Sequence, residues 1–448
     1  MTSNRGVPAT PPADGVTRRR LMATAAAAAA APALARPAVA QGSLKGTKLT
    51  LFVGTFYVPE NNAQLDKLAA DVGRETGMEI RVERFAGDQL PPKIASVVGS
   101  GRGADLAIGV EFDTHLYGPK LADVTDLAEE IGGAYGGWFE GARQACTVGG
   151  RWKSLCIGQA PTAWNYRVDQ FRAAGLERFP DSFDDLLAAA KVLHGKGTPI
   201  GMTLGHAPGD GRSTNYPVLW AFGGREFDAD GTTVAIESPE TVRAVEWYAE
   251  AYKYMIPGTT AWLDPDNNQA FLAGKISATV NVNTVYLAAR KGAAENPALK
   301  AITENMDHGL WPQGPAGRFA NYNINVWLPF ASSQNPEGQK AFLRAWYDRA
   351  FLLPWTKTGQ SYFIPTLAGL ENEDVWPDDP KLKIFRELNK LNRLAGHAGP
   401  PTAAAAEAVS KYILVDMFAK ACTGQMKPQE AVQWAAREYE QIAKKRRA

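Results

Sequence analysis

The sequence predicts an α/β fold, and three stretches carry that expectation. Residues 48–110 alternate strand and helix patterns in the order β-α-β-α-β. That order implies a parallel sheet with ligands at the carboxyl ends of its strands. Residues 266–286, DNNQAFLAGKISATVNVNTVY, read as a short helix, a glycine stop and a strand delivering amides to its end. Amphipathic patterns near the C-terminus, such as 427–443, suit helices that cover a sheet face.

The first 41 residues read as an address. Thr17-Arg18-Arg19-Arg20-Leu21-Met22 fits the twin-arginine export pattern and precedes an Ala-rich run to Ala35. That run is too short and too weakly apolar to span a bilayer. Ala38-Val39-Ala40 is an A-x-A cleavage site, so cleavage is expected near Ala40 and the location is expected to be periplasmic. Removing residues 1–41 takes five of the 48 basic residues and one of the 47 acidic ones, leaving a net charge of about −3. Nucleic-acid binding would need a clustered positive excess, so it is not expected. The terminal Lys444-Lys445-Arg446-Arg447 suits a solvated helix end.

In chain order, Lys48–Val53 (KLTLFV) is a strand, followed by the loop Gly54-Thr55-Phe56-Tyr57. Residues 60–76 form an amphipathic helix with Leu65, Leu68, Ala69 and Val72 on one face. Met78–Phe85 alternates as a second strand, and a helix over 91–98 leads to the buried strand Ala104–Val110. The loops at these strand ends carry Phe56, Tyr57, Glu111, Asp113 and His115. Cys146 and Cys156 flank a hairpin turning at Gly149-Gly150, whose register sets Cys146 near Lys153, so the pattern leaves a disulfide between them open. Cys422 reads as a small buried hydrophobe. Asp169-Gln170-Phe171 begins a short helix stopped by Gly175, and Asp181 or Ser182 caps the next. Pro199–Leu204 reads as a strand, and the Gly-rich polar stretch 205–215 as a loop. Ser238-Pro239-Glu240 starts a helix over 239–254. In 266–286, Gly274 sits where a helix stop wants positive φ, Ile276–Val282 alternates as a strand, and Asn281, Asn283 and Thr284 lie at its end. Those amides and the hydroxyl both donate and accept hydrogen bonds, which suits a neutral polar ligand.

Catalytic and metal motifs fail on context. The five His are dispersed without zinc spacing. Asp228-x-Asp230-Gly231 begins like a calcium loop, but its twelfth position is Pro239, which brings no carboxylate. Gly99-x-Gly101-x-Gly103 precedes a strand instead of following one, and no GxSxG elbow is present. Glu111 and Asp113 lie on one loop, an awkward placement for straddling a glycosidic bond. Neither catalysis, a metal nor a cofactor is expected.

Five stretches in order carry a resemblance. They are YRVDQFRAAGL…FPDSFDDLLAAAKVL (166–193), GGREFDADGTTVAIESPETVRAVEWYAE (223–250), AFLAGKISATVNVN (270–283), HGLWPQGPAGRF (308–319) and TGQMKPQEAVQWAAREYEQI (423–442). The set resembles the extracellular solute-binding proteins of ABC importers, the carbohydrate-binding family that includes the maltose-binding proteins. The resemblance implies a two-lobe periplasmic binding protein fold, with two α/β domains joined by three crossing segments and a ligand cleft between them. The crossings are expected near 158–163, 309–312 and 354–359, where Pro161, Pro312 and Pro354 interrupt the periodic segments. The first lobe would hold 43–158 plus 313–355, the second 163–308 plus 360–448.

The implied function is a monomeric periplasmic component that captures a sugar, oligosaccharide or polyol and hands it to ABC permease subunits in the inner membrane. Candidate ligand-facing residues are Phe56, Tyr57, Glu111, Asp113, Trp164, Tyr216, Asn281, Asn283, Asn321, Tyr322 and Trp355. Carboxylates accept strong bonds from sugar hydroxyls, amides both donate and accept, and aromatic faces suit sugar rings. Asn281 and Asn283 would face Glu111 and Asp113 across the cleft. Thr284 stands where the maltose-binding pattern has an aromatic, which disfavours a long maltodextrin platform. Two alternatives keep their own signatures: a cationic solute such as a polyamine held by Glu111 and Asp113, and a secreted enzyme acting on sugars.

Overall fold

The computed structural model describes residues 44–388 and 390–447. The expected leader, 1–41, lies outside them. Two sheets organise the chain. The first is built from β1 (Lys48–Gly54), β2 (Glu79–Phe85), β3 (Leu106–Val110), β4 (Leu155–Gln159) and a late strand, Ile324–Pro329. The second holds β5 (Ala163–Arg167), β6 (Ile200–Gly201), β7 (Ala278–Asn281) and β8 (Met306–Gly309); the late strand is then β9. Strand order is β2-β1-β3-β9-β4 in the first sheet and β8-β5-β7-β6 in the second. β1 pairs with β2 and β3 in parallel, whereas β9 runs antiparallel between β3 and β4. In the second sheet β5 is antiparallel to both β7 and β8, and β6 is parallel to β7.

Local sequence explains most of these elements. Helix Pro59–Thr76 buries Leu65, Leu68, Ala69 and Val72, the face the pattern predicted, and ends at Gly77 with φ +77°. Ser182 and Ser238 cap the helices Phe183–Gly195 and Pro239–Tyr252 by accepting the Asp185 and Thr241 backbone N–H groups. Helix Asp266–Leu272 stops before Gly274, whose φ of +70° is the conformation expected there.

The stretch 205–215, expected as a loop, differs. A helix runs from Asp210 to Ala221, with every residue from Gly211 onward buried. It has no polar face turned to water, so no amphipathic period marks it in the sequence. Asp264 holds its start, accepting the Gly209 and Asp210 backbone N–H groups at 3.0 and 2.8 Å.

Each sheet has its own core. Leu51, Leu106, Leu155, Trp327, Trp346 and Trp355 belong to the first, and Trp164, Leu186, Trp220, Trp311, Met417 and Tyr439 to the second. The chain passes from first to second at 160–162 and returns at 321–323, where Asn321 and Tyr322 precede β9. It leaves again between Leu370, in the first core, and Leu382, which packs with Phe271 and Phe385 beside the second. Two of the expected crossings therefore lie elsewhere. The 309–312 segment ends β8, and Trp311 is buried against Trp164 in the second core, their ring centres 6.0 Å apart. The 354–359 segment closes helix Arg349–Thr358, where Trp355 stacks on Phe363 at 5.0 Å inside the first core. Pro354 lies within that helix, so proline punctuation misplaced the boundary.

Candidate functional site

The loops after β1 and β7 meet between the two cores, where the Tyr57 hydroxyl reaches the Thr284 carbonyl. The amino end of β5, antiparallel to β7, lies beside the carboxyl end of β7. On the hinge side, Glu111 starts helix Glu111–Tyr117 directly after β3. Its carboxylate meets Arg212 of helix Asp210–Ala221, with Nε 3.0 Å from Oε1. Both side chains are nearly inaccessible, at 7% and 5% exposure. Arg212 Nη2 donates to Asn323 Oδ1 at 2.6 Å and its Nη1 donates to the Pro208 carbonyl. The Ile324 N–H donates to Glu111 Oε2 at 3.2 Å. One guanidinium thus ties the first lobe, a crossing segment and the second lobe together. Burial pushes the Glu111 carboxyl above its ordinary range, and the Arg212 charge pulls it back down. A cavity of about 20 Å³ beside the pair is lined by Phe112, His115, Tyr216 and Asn321, room for about one water.

A second polar layer lies on the side of β7. Asn281 donates to Asn267 Oδ1 at 3.1 Å and also to Asn268 Oδ1, while Thr284 Oγ1 donates to Asn281 Oδ1 at 3.2 Å. Asn267 donates to the Asp210 carboxylate, which burial and the neighbouring Asp264 charge push well above its ordinary range. From the first lobe, the Tyr57 hydroxyl donates to the Thr284 carbonyl at 2.9 Å, and Asn283 donates to the Gln360 carbonyl at 2.6 Å. Burial raises the Tyr362 hydroxyl, with the charges of Asp264 and Asp210 and the Tyr57 hydroxyl adding to the effect, so the two lobes' polar groups share one space. Asn283 Oδ1 and Ser361 Oγ are buried there without a partner.

Outward from this layer is a cavity of about 790 Å³. Tyr57, Val58, Pro59, Glu60, Thr358 and Gln360 line it from one lobe, and Leu287, Ala288, Arg290, Lys291 and Gly292 from the other.

Backbone strain gathers at the same place. Gln360, Ser361 and Tyr412 are the three non-glycine residues with left-handed backbone among the described residues, at φ 48°, 63° and 55°. Each such conformation costs on the order of 1–3 kcal/mol, and strain of this kind concentrates at ligand clamps. Tyr412 stacks flat on His206 at 4.5 Å, and His206 Nε2 sits 2.7 Å from Asp416 Oδ1. The charges acting on Tyr412 are those of Arg212 and Asp264.

The structure sorts the candidate residues. Tyr57, Asn281 and Asn283 lie in the polar layer, and Glu111, Tyr216 and Asn321 around the hinge-side cavity. Phe56 is buried behind Tyr57, edge-on to Trp355 and Phe363. Trp164 and Trp355 are core residues, 0% and 1% exposed. Tyr322 lies over Gly141, filling the space a side chain there would occupy. Asp113 turns back on its own helix, accepting the Val110 N–H at 2.9 Å. Asn281 and Asn283 meet Thr284, Asn267 and Gln360, whereas Glu111 pairs with Arg212 and Asp113 accepts the Val110 N–H. Arg212, Asp210, Asp264, Gln360, Tyr362 and Tyr412 were missed. Only the Gly-rich polar character of 205–215 signalled the first two.

Burial, with the Glu111 charge adding to it, raises the Asp113 carboxyl to about 7. In the unfolded chain it titrates near about 3.9. The folded value is the higher one, so its protonated form supports the fold below about pH 4, and that contribution is lost as pH rises toward 7. His115, lowered by burial to about 4, acts with the opposite sign over part of this window. The expected result is therefore a difference between proteins: relative to Asp113→Asn, the wild type loses about 2–4 kcal/mol between pH 4 and 7.5. Urea unfolding of both across that range measures it, and parallel profiles would refute the assignment.

Two α/β lobes closing on a strand-end cleft of amides, hydroxyls and aromatic rings define a two-lobe ligand-binding protein. The chain belongs to the bacterial extracellular solute-binding protein family, whose pattern it matches over residues 67–384. A Brucella abortus (strain 2308) protein named as a candidate binding protein is 24% identical over 329 residues, 70% of this chain and 74% of that one. Among solved structures, a sugar transporter from Arthrobacter chlorophenolicus A6 with bound laminaribiose superposes with TM-score 0.75 at 15% identity, covering 88% of this chain and 99% of that one. An ABC transporter solute-binding protein from Thermotoga lettingae TMO bound with α-D-tagatose gives 0.74 at 19%, covering 89% and 100%. At these identities the superpositions establish the shared fold.

Proposed function

We propose that the protein is the periplasmic substrate-binding component of an ABC importer. It captures a carbohydrate or polyol by lobe closure and presents it to the permease subunits in the inner membrane. The observation that carries this reading is the layer of neutral amides and hydroxyls around Asn281, Asn267, Asn268 and Thr284, facing Tyr57 and Tyr362 from the other lobe. These groups bond to one another, and a polyhydroxylated solute offers the same alternation of donors and acceptors. Tyr412, braced by His206, offers the flat face that Thr284 does not. The bound tagatose and laminaribiose of the two structural neighbours support the ligand class, and the twin-arginine-like leader supports export.

The charge pattern favours a neutral ligand over a polyamine. Glu111 is neutralised by Arg212, Asp113 caps its own helix, and Asp264 is engaged by two backbone N–H groups. Closure follows if the ligand contacts both lobes, because it then shifts the open–closed equilibrium by its differential affinity.

A thermal-shift panel of sugars, polyols and polyamines on protein lacking residues 1–41 tests this. A ligand present at about 100 times its Kd adds about 2.7 kcal/mol, a shift of several degrees. Stabilisation by a sugar or polyol is expected. Stabilisation by polyamines alone, or by nothing in the panel, would sink the reading.

A further inference from the structure

The hairpin register separates Cys146 from Cys156, and it holds: the Lys153 N–H donates to the Cys146 carbonyl at 2.9 Å. The thiols meet by another route. Cys146 ends helix Glu140–Cys146, which packs on β4, and this brings its Sγ to 3.3 Å from Cys156 Sγ. Both residues are 0% exposed. A bonded pair sits at about 2.05 Å, so the remaining approach is just over about 1 Å. Cys422 packs beside the second core and has no access to either. β4 runs directly into the first crossing, and its Cys156 carbonyl accepts the Tyr347 hydroxyl at 2.6 Å.

We propose that Cys146 and Cys156 are two halves of a disulfide formed outside the reducing cytoplasm, stapling helix Glu140–Cys146 to the strand that enters the lobe crossing. The oxidant is the disulfide of a thiol–disulfide carrier. One cysteine thiolate attacks a carrier sulfur, forming a mixed disulfide and releasing the carrier's other sulfur as thiolate. The second cysteine thiolate then attacks the protein sulfur of that mixed disulfide and expels the remaining carrier thiolate. Two electrons pass to the carrier, which ends as a dithiol holding the two protons that the cysteines lost. Burial pushes the Cys156 thiol up, so the packed lobe is unreactive. Exchange takes place while the helix is lifted from the strand, and the finished bond is shielded from reductant in the same way.

The test cycles the full-length protein through urea and back in oxidised glutathione, then labels it in denaturant with a maleimide polymer. One label per chain, on Cys422, and three after dithiothreitol are expected, with a linked 146–156 peptide on mapping. Any other label count, a glutathione adduct or a bridge to Cys422 would overturn the proposal. Reduction should also lower the melting temperature of the oxidised wild type by about 5 °C or more and leave a C146S/C156S double variant unchanged. Equal melting temperatures for oxidised and reduced wild type would refute the staple.

Discussion

Arg212→Ala should lower the free energy of unfolding by about 3–5 kcal/mol, because it strands a buried carboxylate. Glu111 would keep the Ile324 N–H but lose the Arg212 cation, and Asn323 Oδ1 would lose its donor. The effect should reach beyond stability. Arg212 joins both lobes, so the unliganded variant should populate more open forms, read as a larger radius of gyration by small-angle scattering. Glu111→Gln is the control: the amide oxygen still accepts from Arg212 and from Ile324, and the cost should fall to about 1–3 kcal/mol. A loss below about 1 kcal/mol for Arg212→Ala would mean that the pair is hydrated and the cleft stands open in solution.

Trp164→Ala should cost about 3–5 kcal/mol while leaving ligand affinity in the folded protein unchanged. The indole is fully buried, packed on Phe179 at 5.4 Å and on Trp311 at 6.0 Å, on the sheet face turned away from the polar layer's side chains. Urea unfolding reads the first quantity, and titration with the best ligand from the thermal-shift panel reads the second. An affinity loss of tenfold or more at unchanged stability would return Trp164 to the ligand surface, where its position beside the crossing expected at 158–163 first suggested it.

The two tryptophan assignments show where reasoning from sequence stops. Trp164 and Trp355 sit beside the crossings expected at 158–163 and 354–359, and position beside a crossing says only that a residue is near the cleft. It does not say whether the ring turns into the core or the cleft. That choice depends on what packs opposite: Trp311 and Phe179 in one case, Trp346 and Phe363 in the other. Asn281 and Tyr57 were legible for the converse reason. A polar amide closing an apolar strand, and a tyrosine in the loop after β1, have few places to go except a strand-end cleft.

Helix Asp210–Ala221 marks the deeper limit. Its sequence, DGRSTNYPVLWA, mixes glycine, proline and polar residues without a period, because its surroundings bury it on all sides. Arg212, whose guanidinium pairs with Glu111 of the other lobe, is therefore invisible to pattern reading. Its partner Glu111 was legible as a site acid but assigned to a ligand, when a cation from the other lobe already neutralises it.

The sequence by itself determined the α/β class, the parallel start of the first sheet, the helix caps at Ser182 and Ser238, and the polar mouth of β7. These follow from local rules of period, capping and turn conformation. Tertiary structure alone decided where the chain crosses between lobes, which aromatic rings are core, and which charges cancel. Those outcomes depend on contacts between segments such as Glu111 and Arg212 or Asn283 and Gln360, whose meeting no local pattern encodes.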